Sequence, residues 1–226
     1  DTAVISSSYN SGEVQGYANI GGIAGFAYNG SIAESYNLGH INTTRADAGG
    51  QVPINMGGIL GDSTEHSTGR VVMYDTYNKG DLGDSKFSYY GRHVGGIVGR
   101  LSGIVEKSYN TGNMYNKSNV VGGIAGYWYS GYMKNVFNTG NITVINQNQA
   151  QSQVGGIVGG VDLSGGNDTT GSNTNMSITN AYNIGAIRSF KSNGSNTLGG
   201  IVGSVVKYNS ASANRLEISN VYTGGN

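Results

Sequence analysis

The chain has 226 residues, with 13 basic residues against 13 acidic ones, 40 glycines, one proline and no cysteine. The missing thiols exclude disulfides, thiolate metal sites and a cysteine nucleophile. The balanced charge offers no cationic surface to displace counterions from a nucleic acid, and no apolar run approaches the ~20 residues that a membrane-spanning helix needs.

From the amino terminus onward, two short phrases alternate. The first is aromatic-Asn-x-Gly, beginning at Tyr9, Tyr36, Tyr77, Tyr109, Phe137 and Tyr182, and at Tyr222 with Thr223 in the Asn position. The second is apolar-Gly-Gly-Ile, one further apolar residue and Gly, beginning at Ile20, Met56, Val94, Val121, Val154 and Leu198. Four residues before each aromatic stands Ile5, Ile32, Met73, Val105, Met133, Ile178 or Ile218, and five after it Val14, Ile41, Leu82, Met114, Ile142 or Ile187. Strict alternation over the whole length is the signature of a repeat architecture.

These apolar offsets do not follow a helical period, and glycine at this density would cost a helix about 1 kcal/mol per residue. The Gly-Gly-Ile phrase is short, β-branched and bounded by turn residues, and reads as a strand. The spacing therefore predicts roughly three short strands per repeat, at the Gly-Gly-Ile phrase, at the approach to the aromatic, and around the apolar residue after it. The shortest repeat, Tyr9 to Tyr36, is long enough for one coil of a β-solenoid. The predicted architecture is an all-β solenoid of about six coils, residues 1–226 forming one domain. Residues at equal positions would form ladders of Tyr/Phe, Asn and Ile, with amide ladders hydrogen-bonded along the stack. The chain begins half-way through a repeat, and no polar capping helix is legible at either end. It reads as a piece of a longer protein.

The two phrases together, Val94-Gly95-Gly96-Ile97-Val98-Gly99 followed by Ser108-Tyr109-Asn110-Thr111-Gly112, resemble the GLUG motif of bacterial surface proteins. That repeat occurs in large adhesins and in non-catalytic regions of IgA-cleaving metallopeptidases. The resemblance implies a stalk or display scaffold, secreted or at a bacterial cell surface. The peptidase zinc signature His-Glu-x-x-His does not occur around His40, His66 or His93, so that chemistry is not implied.

Insertions lengthen the repeats at about 43–55, 62–72, 83–93, 143–153, 160–177, 188–197 and 204–216, and in solenoids such insertions leave as loops on a binding face. Lys86-Phe87-Ser88-Tyr89-Tyr90-Gly91-Arg92-His93 puts three rings beside two cations. Tyr127-Trp128-Tyr129-Ser130-Gly131-Tyr132 holds the single Trp, with Phe26 and Tyr28 at the same place in the first repeat. Exposed rings at Tyr89, Tyr90, Trp128, Tyr129 and Tyr132 are the candidate ligand contacts, since aromatic residues dominate recognition surfaces. The alternative reading tucks both segments against the stack.

Carboxylates for catalysis are scarce. Asp62, Glu65 and His66 read as a solvated loop, and Asp81 and Asp84 form a looser group with His93. No acids recur at equal offsets to line a groove, as a β-helical lyase or hydrolase would require. Gly165-Gly166-Asn167-Asp168 is a single fragment of a calcium-repeat pattern without a stacked partner, and no metal or cofactor is expected. Sequons such as Asn42, Asn116, Asn141, Asn175 and Asn193 follow from the abundance of Asn, Ser and Thr. The expected function is non-catalytic, structural or adhesive, with a host glycan or surface protein as partner beside neighbouring domains of the same chain. The rival readings are a β-helical carbohydrate-active enzyme and an accessory region of an IgA-type peptidase.

Overall fold

The computed structural model describes residues 3–44, 55–63, 70–84, 92–117, 119–146, 151–164, 175–191, 195–208 and 214–224. Among them there is no helix, and every strand pairing is parallel. Each repeat pairs with the next at equivalent residues, so the sequence columns become spatial columns. Five strand positions recur per repeat. In the fourth full pass they are Val120–Gly122, Ala125 onward, the later half of the long strand Ala125–Asn138, Phe137 with Asn138, and Ile142–Asn146.

The expectation of three strands per repeat was too coarse, for a physical reason. The Gly-Gly-Ile phrase is a corner and not a single strand. In the first repeat Asn19–Gly21 ends one strand, Gly22 and Ile23 turn, and Ala24–Phe26 begins the next. The six strands on the near side of this corner form one ordered six-stranded sheet. A second sharp bend lies two residues before each aromatic. There Ser7, Glu34, Asp75, Lys107, Asn135, Asn180 and Asn220 all hold φ between 48° and 55°. Non-glycine residues rarely adopt this left-handed region, and Asn and Asp tolerate it best. In the first four repeats the bend makes the aromatic-Asn pair a separate two-residue strand, and in the last three the strand runs through it.

Successive residues of a strand face opposite sides. In these two-residue strands the ring faces outward and the Asn inward. Asn37, Asn78, Asn110 and Asn138 are all 0% exposed, whereas Tyr9 and Tyr182 are 64% and 37% exposed. Each Asn Nδ2 donates to the Oδ1 of the next, from Asn10 through Asn37, Asn78, Asn110 and Asn138 to Asn183, at 2.7–2.8 Å. The other Nδ2 hydrogen goes to the carbonyl two residues on, as from Asn110 to Gly112 at 2.9 Å. Outside, Tyr36, Tyr77, Tyr109, Phe137 and Tyr182 stack with centroids 4.7–5.0 Å apart and planes within 4°.

The two phrases are coupled by steric fit. The second glycine of each corner lies against the Asn of its own repeat: Gly58 against Asn78, Gly96 against Asn110, Gly123 against Asn138. A Cβ there would overlap the amide and a neighbouring carbonyl. On one side of this Asn–Gly seam lies a core built on Ile59, Ile97, Ile124 and Ile157, all fully buried, with Ile23 and Ile201 partly buried against it. On the other lies a core of Ile20, Ile41, Met56, Leu82, Val94, Met114, Val121, Ile142 and Val154. Burying each such aliphatic side chain contributes roughly 1.5–3 kcal/mol.

Candidate functional site

Two columns beside the Gly-Gly-Ile corner mix polar, charged and aromatic residues. The first heads the strand before the corner and reads Asn19, Asn55, His93, Val120, Gln153, Thr197. The second lies two residues past the start of the strand after it and reads Phe26, Asp62, Arg100, Tyr127, Gly160, Ser204. Chemistry that varies from repeat to repeat is concentrated there.

In the middle repeats these columns form one polar network. Asp62 is 2% exposed and accepts two charge-assisted bonds from Arg100, Nε to Oδ1 at 2.9 Å and Nη2 to Oδ2 at 2.8 Å. This corrects the reading of Asp62 as part of a solvated loop; Glu65 and His66 lie outside the described residues. The Asn55 amide donates to Asp62 Oδ2 and to Asn19 Oδ1, both at 3.0 Å. Those two acceptors orient the amide, so its Oδ1 points at His93 Nδ1, 2.9 Å away. His93 must therefore carry its proton on Nδ1, which leaves Nε2 an acceptor. Burial, with Arg92 and Arg100 nearby, pushes the His93 pKa well below its ordinary value and keeps the ring neutral. Burial opposes the Arg100 charge, but the bonds and charge of Asp62 outweigh it and raise its pKa.

The His93 ring lies 4.9 Å from Tyr127, and Tyr127 lies 4.9 Å from Tyr129. Burial first, then the nearby Asp162 carboxylate, raise the Tyr127 pKa and hold the phenol protonated. Tyr127 also lines a recess of about 500 Å³. Its walls are Tyr127 and Asp162 on one side and His93, Val120 and Gln153 on the other. Tyr208 stands at the rim, and Arg92, Asn119 and Gln151 stand where strands begin.

The candidate ligand contacts separate. Tyr89 and Tyr90 lie outside the described residues. Trp128 is not an exposed ring: it is 0% exposed, its indole N–H donates to the Ser130 carbonyl at 2.6 Å, and it sits in register between Leu101 and Val161. An aromatic in an apolar column was mistaken for a loop residue because the strand continues through the turn. Tyr129 is an extra residue there: Leu101 pairs with Trp128, but Ser102 pairs with Ser130, so Tyr129 forms a bulge and its ring is part-exposed. Bulges re-aim side chains in this way. Tyr132 is also part-exposed, in register with Ile104 and Ser177, its hydroxyl 3.4 Å from Glu106 Oε2. Of the recess residues, Arg92, His93 and Tyr127 lie in the two aromatic segments singled out in the sequence, whereas Asn119, Gln151, Gln153, Asp162 and Tyr208 belong to no motif. Among the described residues no three His, Asp or Glu side chains come together to hold a metal ion.

No protein-family model and no solved structure matches the chain. Part of it is similar to Halomucin of Haloquadratum walsbyi (strain DSM 16790 / HBSQ001), with 34% identity over 105 residues. That stretch is 45% of this chain and 1% of Halomucin, so the chain corresponds to a very small part of that protein.

Proposed function

We propose that this chain is a non-catalytic, structural and adhesive repeat region, a β-solenoid of about six coils forming one domain of a larger secreted or bacterial surface protein. The observation that carries the reading is the unbroken parallel register. Every described repeat stacks on the next through the same Asn, aromatic and Ile columns, with all length variation confined to two corners. The insertions fall after the second and after the fifth strand of a repeat, and never between the third and fifth. Such a rod extends by adding coils and varies its loops independently of its core. Likeness to part of a protein named as a mucin supports a place at or outside the cell surface. The GLUG-like phrases support the same reading. Asp62, the most suggestive acid, is engaged by Arg100 and Asn55, which favours scaffold over hydrolase or lyase.

The partner is a host glycan or surface protein, met by the insertion face, with Tyr129 and Tyr132 as contact rings. The test is adherence of the labelled chain to cultured epithelial cells before and after mild periodate oxidation of surface glycans, and separately after protease treatment. Loss of binding with periodate identifies a glycan, and loss with protease alone identifies a protein. No binding to untreated cells would sink the adhesive half of the reading and leave a spacer.

A further inference from the structure

We propose that the recess lined by Tyr127, Gln153 and Tyr208 is a carbohydrate-binding subsite that takes an uncharged, hydroxyl-rich oligosaccharide. The proposal rests on the adhesive reading and places its ligand.

Gln153 and the Tyr127 ring pack over the backbone of Gly160, where a side chain would run into both. The recess that Gln153 and Tyr127 help to line holds about 500 Å³, within the ~300–1,000 Å³ of small-molecule sites. Position matters as much as size. Arg92 and Asn119 immediately precede strands, Gln151 begins one, Asp162 ends another, and Tyr208 follows Val202–Val206 by two residues. Both insertion corners therefore root at this one place, while the ladders run elsewhere. Residues here can change without disturbing the fold.

The lining selects the ligand class. Tyr208, 77% exposed, offers a phenol ring able to stack on the C–H face of a sugar while the hydroxyls stay wet, with the buried Tyr127 in the wall. Asn119, Gln151 and Gln153 supply planar amides. One guanidinium, Arg92, is matched by one carboxylate, Asp162, and His93 is neutral, so the recess carries no net charge. An anionic ligand would meet Asp162 and a cationic one Arg92. Sugar hydroxyls donate and accept at once, which suits a mixed set of donors and acceptors. The chain of bonds from Asp62 through Asn55 to His93 holds the imidazole of the recess wall in one tautomer.

The experiment uses the full chain on an array of neutral oligosaccharides ending in glucose, galactose, mannose, fucose or N-acetylglucosamine, with sialylated and sulfated ones alongside. Two variants at exposed positions probe the recess: Tyr208→Ala removes the rim ring, and Gln151→Trp fills the opening. Leu38→Ala, 45% exposed and far in sequence from every recess residue, is the control. Circular dichroism melts verify that each variant folds. Wild-type binding to neutral glycans, weakened tenfold or more by both recess variants and unchanged by the control, is the expected result. Binding unchanged in both recess variants would overturn the site. Binding confined to sialylated or sulfated glycans would overturn the ligand class. Cell adherence without any oligosaccharide binding would overturn the proposal while leaving the adhesive reading intact.

Discussion

At the level of single residues, the Asn column is the most demanding part of the molecule. Asn110 is fully buried, donates to Asn138 Oδ1 and the Gly112 carbonyl, and accepts from Asn78. Replacing it with Ala strands a donor below and acceptors above in a space closed to water. Each orphan costs about 1–3 kcal/mol, so Asn110→Ala should lose at least about 2 kcal/mol in urea melts. Asn10→Ala, at the solvent-facing end of the ladder, should cost under about 1 kcal/mol. Equal losses at the two positions would show that the ladder is not the source of stability. His93 makes a pH prediction with a definite sign. Its folded pKa lies below the unfolded value of about 6.5, so the unfolded chain binds the extra proton as pH falls through that range. The stability tied to neutral His93 is complete above about pH 6.5 and is lost as pH drops toward the folded pKa, at no more than about 1.4 kcal/mol per pH unit. His93→Gln should flatten that slope between about pH 6.5 and 5; melts with the same slope in wild type and variant would remove His93 from the account.

At the level of elements, the columns were legible and the corners were not. Period and register follow from repeated residue types: Tyr77 on Tyr109, Val94 on Val121, Ile142 on Ile187 are the pairs that the phrases align. Burial of Ile124 and its column was equally readable, because β-branched residues at fixed offsets have nowhere else to go. Direction was harder. A strand of two residues carries no alternation to count, so whether Tyr109 or Asn110 faced inward could not be read until Gly96 was seen against the amide. The bend at Lys107 was hidden for a similar reason, since Ser, Glu, Asp, Lys and Asn all adopt the same left-handed conformation at this position. Trp128 shows the converse error. Local composition, with Tyr, Ser and Gly around it, suggested a loop, whereas the pairing of Val98–Glu106 with Ala125–Asn138 carries a strand straight through. The recess was illegible because Arg92, Gln153 and Tyr208 lie far apart in the chain and only the stacking of repeats brings them together.

At the scale of the whole molecule, stability is carried from layer to layer. Interior positions that are 0% exposed in the middle repeats are uncovered in the last one: Val158 against Val202, which is part-buried, and Val161 against Val205 at 48%. The same holds for Ile178 at 0% beneath Ile218 at 41%, and for Val154 at 0% beneath Leu198 at 48%. Each layer thus shields its neighbour's apolar face, and the described end layers are the least protected. If layers interact only with their neighbours, a complete one can be removed without destroying the rest, because the surfaces exposed above and below the cut are copies of those that met before. Deleting residues 114–141 brings Asn113 onto Ile142, the residue that pairs with Met114, and restores every column. That variant should fold, with parallel-β circular dichroism and one cooperative melt at lower temperature. Deleting residues 114–127 removes part of a layer and sets the Asn, Tyr and Ile columns out of phase, so it should not give a cooperative melt. If the full-layer deletion fails to fold while the wild type is stable, stability depends on contacts that span more than adjacent layers, and the additive picture of the stack is wrong.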